Sequence, residues 1–128
     1  MEKPVSEFKS KLGFKRIGSA FLYSLDGLKA AWQHEAAFRQ ELLVVVIGVV
    51  AALSMKISAF EKLMLIAVLV LVLIVELINS ALEAVVDRIS LDRHPLSKNA
   101  KDLGSAAVAL SMGIAFAAWA VVLFNRFY

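Results

Sequence analysis

The sequence predicts an all-α integral membrane protein, with an N-terminal amphipathic surface helix followed by three transmembrane helices in a single domain over residues 1–128. Two observations carry most of that reading. Hydrophobic residues make up 60% of the 128 and the mean hydropathy is +0.75, against roughly 45–50% apolar residues in soluble domains. Too little polar surface remains to cover a water-facing globule. Three apolar stretches also approach or reach the ~20 helical residues that a ~30 Å bilayer core requires. The composition argues against an ordinary soluble enzyme and against a disordered chain. A chain with no cysteine is not a disulfide-stapled secreted domain either.

The first element is a helix over about 6–33. Phe14, Ile17, Phe21, Leu25, Leu28 and Trp32 are spaced 3, 4, 4, 3 and 4 apart, which forms one apolar stripe at helical period, with Lys11, Lys15, Arg16 and Lys29 off it. A basic amphipathic helix of this kind lies in the membrane interface. Met1 to Trp32 lacks the uninterrupted apolar run of a cleavable signal peptide. The first span, about 36–55, centres on the fourteen uncharged residues from Leu42 to Met55. A short polar turn, Lys56 to Lys62, leads to the second, about 61–89. It opens with thirteen uncharged apolar residues, Leu63 to Val75, and continues to Ile89 interrupted by Glu76, Asn79, Glu83 and Asp87. Pro95 is expected to break the chain inside the second loop. The third span, about 102–125, contains twenty-three uncharged residues from Leu103 to Asn125.

Net charge is +3, from 14 basic and 11 acidic residues. Seven basic residues fall in 1–39 and four in 87–102, against two in the 56–62 turn and one at the C-terminus. Eleven against three puts the N-terminal segment and the second loop in the cytoplasm by the positive-inside bias.

The acidic stripe in the second span is the strongest chemical signal. Glu83 is seven residues and Asp87 eleven from Glu76, so all three lie within ~20° of one line on a helix, with Asn79 about 60° to the side. Each charge inside a span costs several kcal/mol unless it faces a partner, a metal or water. Asp87 and Arg88 fit a helix end protruding into the cytoplasm. Glu76, ~10 Å deeper than Glu83 along the axis, does not, and reads as functional. With His34 and His94 as the only histidines and no cysteine, the composition argues against a structural zinc site. Carboxylates at two depths suit Mg²⁺, which takes one or two of them together with nucleotide phosphates. Glu35, Arg39, Gln40 and Glu41 precede the first span, and Lys98, Lys101 and Asp102 precede the third, so carboxylates, cations and an interface helix converge at one membrane surface. The chain contains neither the GxxxxGK[ST] phosphate loop nor the motif set of protein kinases. Phosphoryl transfer mainly requires a metal on the phosphates, cations on the spreading charge and a base near the acceptor hydroxyl, and all three are provided for.

The strings AAWQHEAAFRQE (30–41), VELINSALEAVVDR (75–88) and KDLGSAAV (101–108) closely resemble the prokaryotic (Gram-negative type) diacylglycerol kinase family, from about Phe14 to the C-terminus. The resemblance implies a homotrimer with active sites between neighbouring subunits at the cytoplasmic face of the inner membrane, where ATP and Mg²⁺ phosphorylate diacylglycerol to phosphatidic acid. By motif, Glu76 resembles the general base and Asn79 its support, while Glu35 and Glu83 resemble the pair holding the divalent ion. Arg16, Tyr23, Asp92, Arg93, His94, Lys101 and Asp102 stand at positions of nucleotide contact, together with Glu35 and Glu83. Ala37, Phe38, Arg39, Gln40, Glu41 and Ser105, with Arg16 and Glu76, stand at positions of lipid-substrate contact. The stretch Tyr23-Ser24-Leu25-Asp26-Gly27 departs from members in which a Trp-Lys pair precedes the glycine. Lys101 alone also fits a topology signal or a snorkelling cation at a span end.

In the third span Ser105, Ala109, Gly113 and Ala117 form a small-xxx-small ridge that lets helices approach closely, within a subunit or between subunits. Two enzymatic acceptors fit the sequence, diacylglycerol first and undecaprenol second, as Gram-positive relatives share the acidic core. A small ion or proton channel is the reading from another class, because carboxylates in spans also mark conduction paths. A purely structural subunit leaves Glu76 unexplained.

Overall fold

The structure, a computed structural model, describes residues 13–128. The chain divides into two compact units, Met1–Glu35 and Ala36–Tyr128. In the first, α1 runs over Phe14–His34. The expected helix start near residue 6 lies outside the described residues. Gly13, at φ 64°, adopts the left-handed conformation open to glycine and stands just before the first helical turn. The six stripe residues from Phe14 to Trp32 are all exposed large hydrophobics, an apolar face of the kind that beds into a membrane interface. Glu35 is extended and closes α1, donating its backbone N–H to Ala31 at 2.9 Å.

The second unit is a bundle of α2 (Ala36–Ser54), α3 (Ala59–Ile89) and α4 (Pro95–Phe127), each long and apolar enough to cross a membrane. Short connections force neighbouring helices to run antiparallel. The α2–α3 turn is pinned at both ends. Ser58 Oγ accepts from the Glu61 N–H and Glu61 Oε1 accepts from the Ser58 N–H, both at 3.1 Å, a capping box that satisfies two otherwise orphaned donors. Lys62 Nζ donates to the Leu53 carbonyl at 3.1 Å, covering one of the open carbonyls at the end of α2.

Pro95 corrects an expectation. Instead of breaking the second loop it is the first residue of α4, where its missing N–H would have had no helical partner and its fixed φ suits the first turn. His94 caps the helix, its Nδ1 accepting from the Leu96 N–H at 3.1 Å. The helix therefore begins seven residues before the span expected from hydropathy, which registers apolar length and not capping.

The core joins Val68 and Val72 of α3 to Ala115 of α4, with Ala118 and Trp119 packed against them. Trp119 Nε1 donates to the Leu65 carbonyl at 3.2 Å, so the only polar atom of that ring is satisfied inside the bundle. Gly48 brings α2 to the same place. A Cβ there would collide with Leu69 Cδ1 and lie 3.5 Å from Trp119 Cζ2. The Gly48–Leu69 contact sets the register: seven residues further along each antiparallel helix, Glu41 stands opposite Glu76. By the same register the first residue of α2 lies level with the region of Ala81, and α3 and α4 run on beyond it as a two-helix projection.

The small ridge of α4 faces outward. Ser105, Ala109, Gly113 and Ala117 are all exposed in the single chain, and a Cβ at Gly113 would meet nothing within 4 Å. It does not pack against α2 or α3 of its own unit. Gly48→Leu should consequently destabilise the subunit by about 1–3 kcal/mol or more, the usual cost of overpacking. Gly113→Leu should leave the fold of one chain intact and alter only self-association. Melting temperature in detergent, read beside cross-linking, separates the two.

Candidate functional site

The projecting end of the α3–α4 hairpin gathers most of the residues singled out above as nucleotide contacts. Ser90 ends α3 in an extended conformation and its Oγ accepts from the Asp92 N–H at 3.0 Å, which starts the short turn to His94. Inside this turn is a cleft of about 690 Å³ whose lining includes Asp92, Arg93, His94, Lys101 and Asp102. Five of the nine residues expected at nucleotide contacts therefore share one concave surface. Two ion pairs organise its wall: Lys101 Nζ to Asp87 Oδ1 at 2.8 Å between α4 and α3, and Lys98 Nζ to Asp102 Oδ2 at 2.5 Å within α4. The charge of Glu83, one turn below Asp87, also acts on Lys101. Both pairs are solvent-accessible, so solvent and ions compete for them. Asp87, expected only as a helix end, is the partner of Lys101. Its place on the acidic line was the available signal.

Deeper along α3 the surroundings change. Glu76 is only 6% exposed in a helix otherwise apolar at that level. Glu41 of α2 is its charged neighbour across the interface, as the Gly48 register requires, and one Glu41 oxygen, Oε2, is enclosed without a hydrogen-bond partner. Asn79, one turn from Glu76, likewise has an enclosed Oδ1 without a partner. Enclosed acceptors lacking a donor are uncommon, because each forfeits about 1–3 kcal/mol of hydration, and they tend to mark functional sites. Of the other residues expected on the lipid side, Phe38 is 3% exposed, Arg39 is half-buried, and Ala37, Gln40 and Ser105 are exposed.

The remaining expected residues belong to the first unit. Arg16 and Tyr23 are seven residues apart on α1 and so share a face, and Glu35 is the extended residue that ends it. Among the described residues no three His, Asp or Glu side chains form an all-protein metal cage. Glu35 ends the first unit and Glu83 belongs to the second, and each offers carboxylate oxygens, the donor type that a hard cation takes.

The family model for prokaryotic diacylglycerol kinase matches residues 22–123, which includes the deep carboxylates and the cleft. A diacylglycerol kinase of Pseudomonas aeruginosa is 52% identical over 118 residues, covering 92% of this chain and 96% of its own. One from Escherichia coli is 49% identical over 115 residues, covering 90% and 94%. A third, from Haemophilus influenzae, is 39% identical over 112 residues, covering 88% and 95%.

Because the Asp87–Lys101 pair is solvent-accessible, a double-mutant cycle of Asp87→Ala and Lys101→Ala should show little coupling in melting temperature. A large coupling would mean that the pair holds the hairpin together.

Proposed function

The chain belongs to the prokaryotic diacylglycerol kinase family and is a membrane kinase, and from that premise we propose that it transfers the γ-phosphoryl group of ATP to the free hydroxyl of diacylglycerol, giving phosphatidic acid and ADP at the cytoplasmic face of a bacterial inner membrane. The observation that carries this reading is the position of Glu76: a buried carboxylate within a span, on the same helix face as the acidic residues that rise towards a cleft lined with cations. A lipid hydroxyl arrives from the bilayer side and a polyanion from the aqueous side, and α3 is the element common to both.

In this reaction Glu76 accepts the proton of the acceptor hydroxyl as its oxygen bonds to phosphorus and the bond to ADP breaks. A carboxylate is a weak base, which suffices because phosphoryl transfer depends chiefly on positioning and charge. Asn79 supports the acceptor side, and the enclosed oxygens of Asn79 and Glu41 are acceptors suited to lipid hydroxyl donors. Ala37, Phe38, Arg39, Gln40 and Ser105 line the path of the lipid, with Arg16 at the interface. Lys101, Arg93 and His94 carry the nucleotide's charge together with Arg16, while Tyr23, Asp92 and Asp102 hold its sugar and base. Glu35 and Glu83 would hold Mg²⁺, which would supply positive charge to offset the negative charge developing on the phosphates. Lys101 exchanges its solvent-accessible partner Asp87 for phosphate at little cost.

Three copies assemble as a homotrimer with sites between neighbours, as the family resemblance implies. An outward-facing small ridge on α4 supports a close contact between subunits.

The deciding experiment is transfer of labelled phosphate from ATP to diacylglycerol and to undecaprenol in mixed micelles. Transfer to diacylglycerol is expected. Preference for undecaprenol would reassign the acceptor, and ion conduction in liposomes without transfer would replace the kinase by a channel. Glu76→Gln should lower turnover by about 10²–10⁴, the usual worth of a general base, with the fold and ATP binding retained. Lost ATP binding in a folded variant would move Glu76 to the nucleotide side. Glu35→Gln and Glu83→Gln should each shift the Mg²⁺ dependence of turnover without preventing assembly, and unchanged Mg²⁺ titrations in both would remove them as ligands.

A further inference from the structure

Gly104 lies on α4 where that helix passes Asn79 of α3. A Cβ built on it would collide with Asn79 Oδ1, lie 3.1 Å from Asn79 Cγ and 3.3 Å from Leu82 Cδ2. A side-chain carbon there requires the Asn79 amide to shift. The backbone does not call for glycine here, since Gly104 is inside a regular helix and Gly13 alone of the glycines has positive φ. In a helix interior glycine costs roughly 0.5–1 kcal/mol relative to alanine, so α4 itself gains nothing from it. Gly48, the other glycine in close contact, faces the flexible end of Leu69, whereas Gly104 faces a polar amide. Oδ1 of that amide is enclosed and accepts no hydrogen bond, so that end of the amide is located by packing rather than by bonding.

We infer that Gly104 is a positioning residue: its bare α-carbon lets the Asn79 amide seat against α4, and so fixes that amide one turn from Glu76 on the acceptor side of the site. A methyl at 104 drives the amide away from α4 and out of register with Glu76. This inference rests on the role of Asn79 in the phosphotransfer reading above. Ser105, the neighbouring residue, points to another face and is exposed, so the effect belongs to Gly104 and not to the loss of a lipid contact.

The test is a double-mutant cycle on the full chain in mixed micelles, with the wild type, Gly104→Ala, Asn79→Ala and the double variant. Turnover, KM for ATP, KM for lipid and melting temperature are measured on each. Gly104→Ala should lower turnover about tenfold or more, because a misplacement of ~1 Å can cost ~10²-fold, with KM for ATP unchanged. In the Asn79→Ala background the same substitution should cost nothing further in turnover or melting temperature, since the side chain it displaces is gone. Multiplying losses, or a Gly104→Ala protein with wild-type turnover, would overturn the inference and leave the kinase reading standing. Full turnover in Asn79→Ala would overturn the role of Asn79 and the inference with it. Should Gly104→Ala fail to fold, Asn79→Ala must restore folding, and failure in both backgrounds would show that the glycine serves something other than this amide.

Discussion

The structure depends on how closely α3 approaches its two neighbours. Apolar helices surrounded by lipid have no hydrophobic drive to associate, because hydrocarbon tails solvate them as well as another helix would. Packing must come from shape. Gly48 supplies it on the α2 side, where Leu69 and the edge of Trp119 occupy the room a side chain would take, and Gly104 supplies it on the α4 side, where Asn79 does. These two contacts also fix register. Two turns from Gly48, Glu41 meets the level of Glu76, and three residues beyond Glu76 the Asn79 amide meets Gly104. The placement of the deep polar groups is a consequence of where the bundle lacks side chains.

A second consequence concerns length. α2, at 19 residues, barely meets what a bilayer core requires, whereas α3 has 31 and α4 33. Since α2 and α3 are pinned together at the Ser58 turn, the excess appears at the opposite end. There the hairpin carries Glu83, Asp87, Lys98, Lys101 and Asp102 clear of the first span. The charged residues along this half of α3 and its neighbours thus fall into two classes. Those on the projection keep access to water, while Glu76 is buried and Glu41 has one oxygen enclosed, where a charge is expensive.

Much of this was legible in the sequence, for identifiable reasons. The three spans follow from apolar length, the surface helix from a 3-4 spacing of large hydrophobics, and the acidic line of α3 from three carboxylates at multiples of the helical repeat. Pro95 was misread because hydropathy locates the membrane and not the helix. Its position after His94 was the capping signal, as was the Ser58-x-x-Glu61 spacing at the start of α3. The outward direction of the Ser105–Ala117 ridge was not legible, because a small-residue repeat has the same pattern whether it meets its own chain or another. The pairing of Lys101 with Asp87 and of Gly104 with Asn79 depends on the relative rotation of α3 and α4, which no single-helix pattern encodes.

In the proposed reaction the two classes of charge also answer the difficulty of substrates that differ so much in polarity. A nucleotide needs cations that can release one partner and take another, which the solvent-accessible pairs of the hairpin allow. An acceptor hydroxyl in a lipid needs a base kept in place without help from water, and this calls for a rigid enclosure. On that proposal the change from one requirement to the other takes place in α3 between Glu83 and Glu76, over two helical turns. The glycines fall on the rigid side of that boundary, Gly104 at its edge. The close contact at Gly104 therefore lies beside the enclosed Asn79 oxygen, whereas the cleft above is walled by solvent-accessible ion pairs.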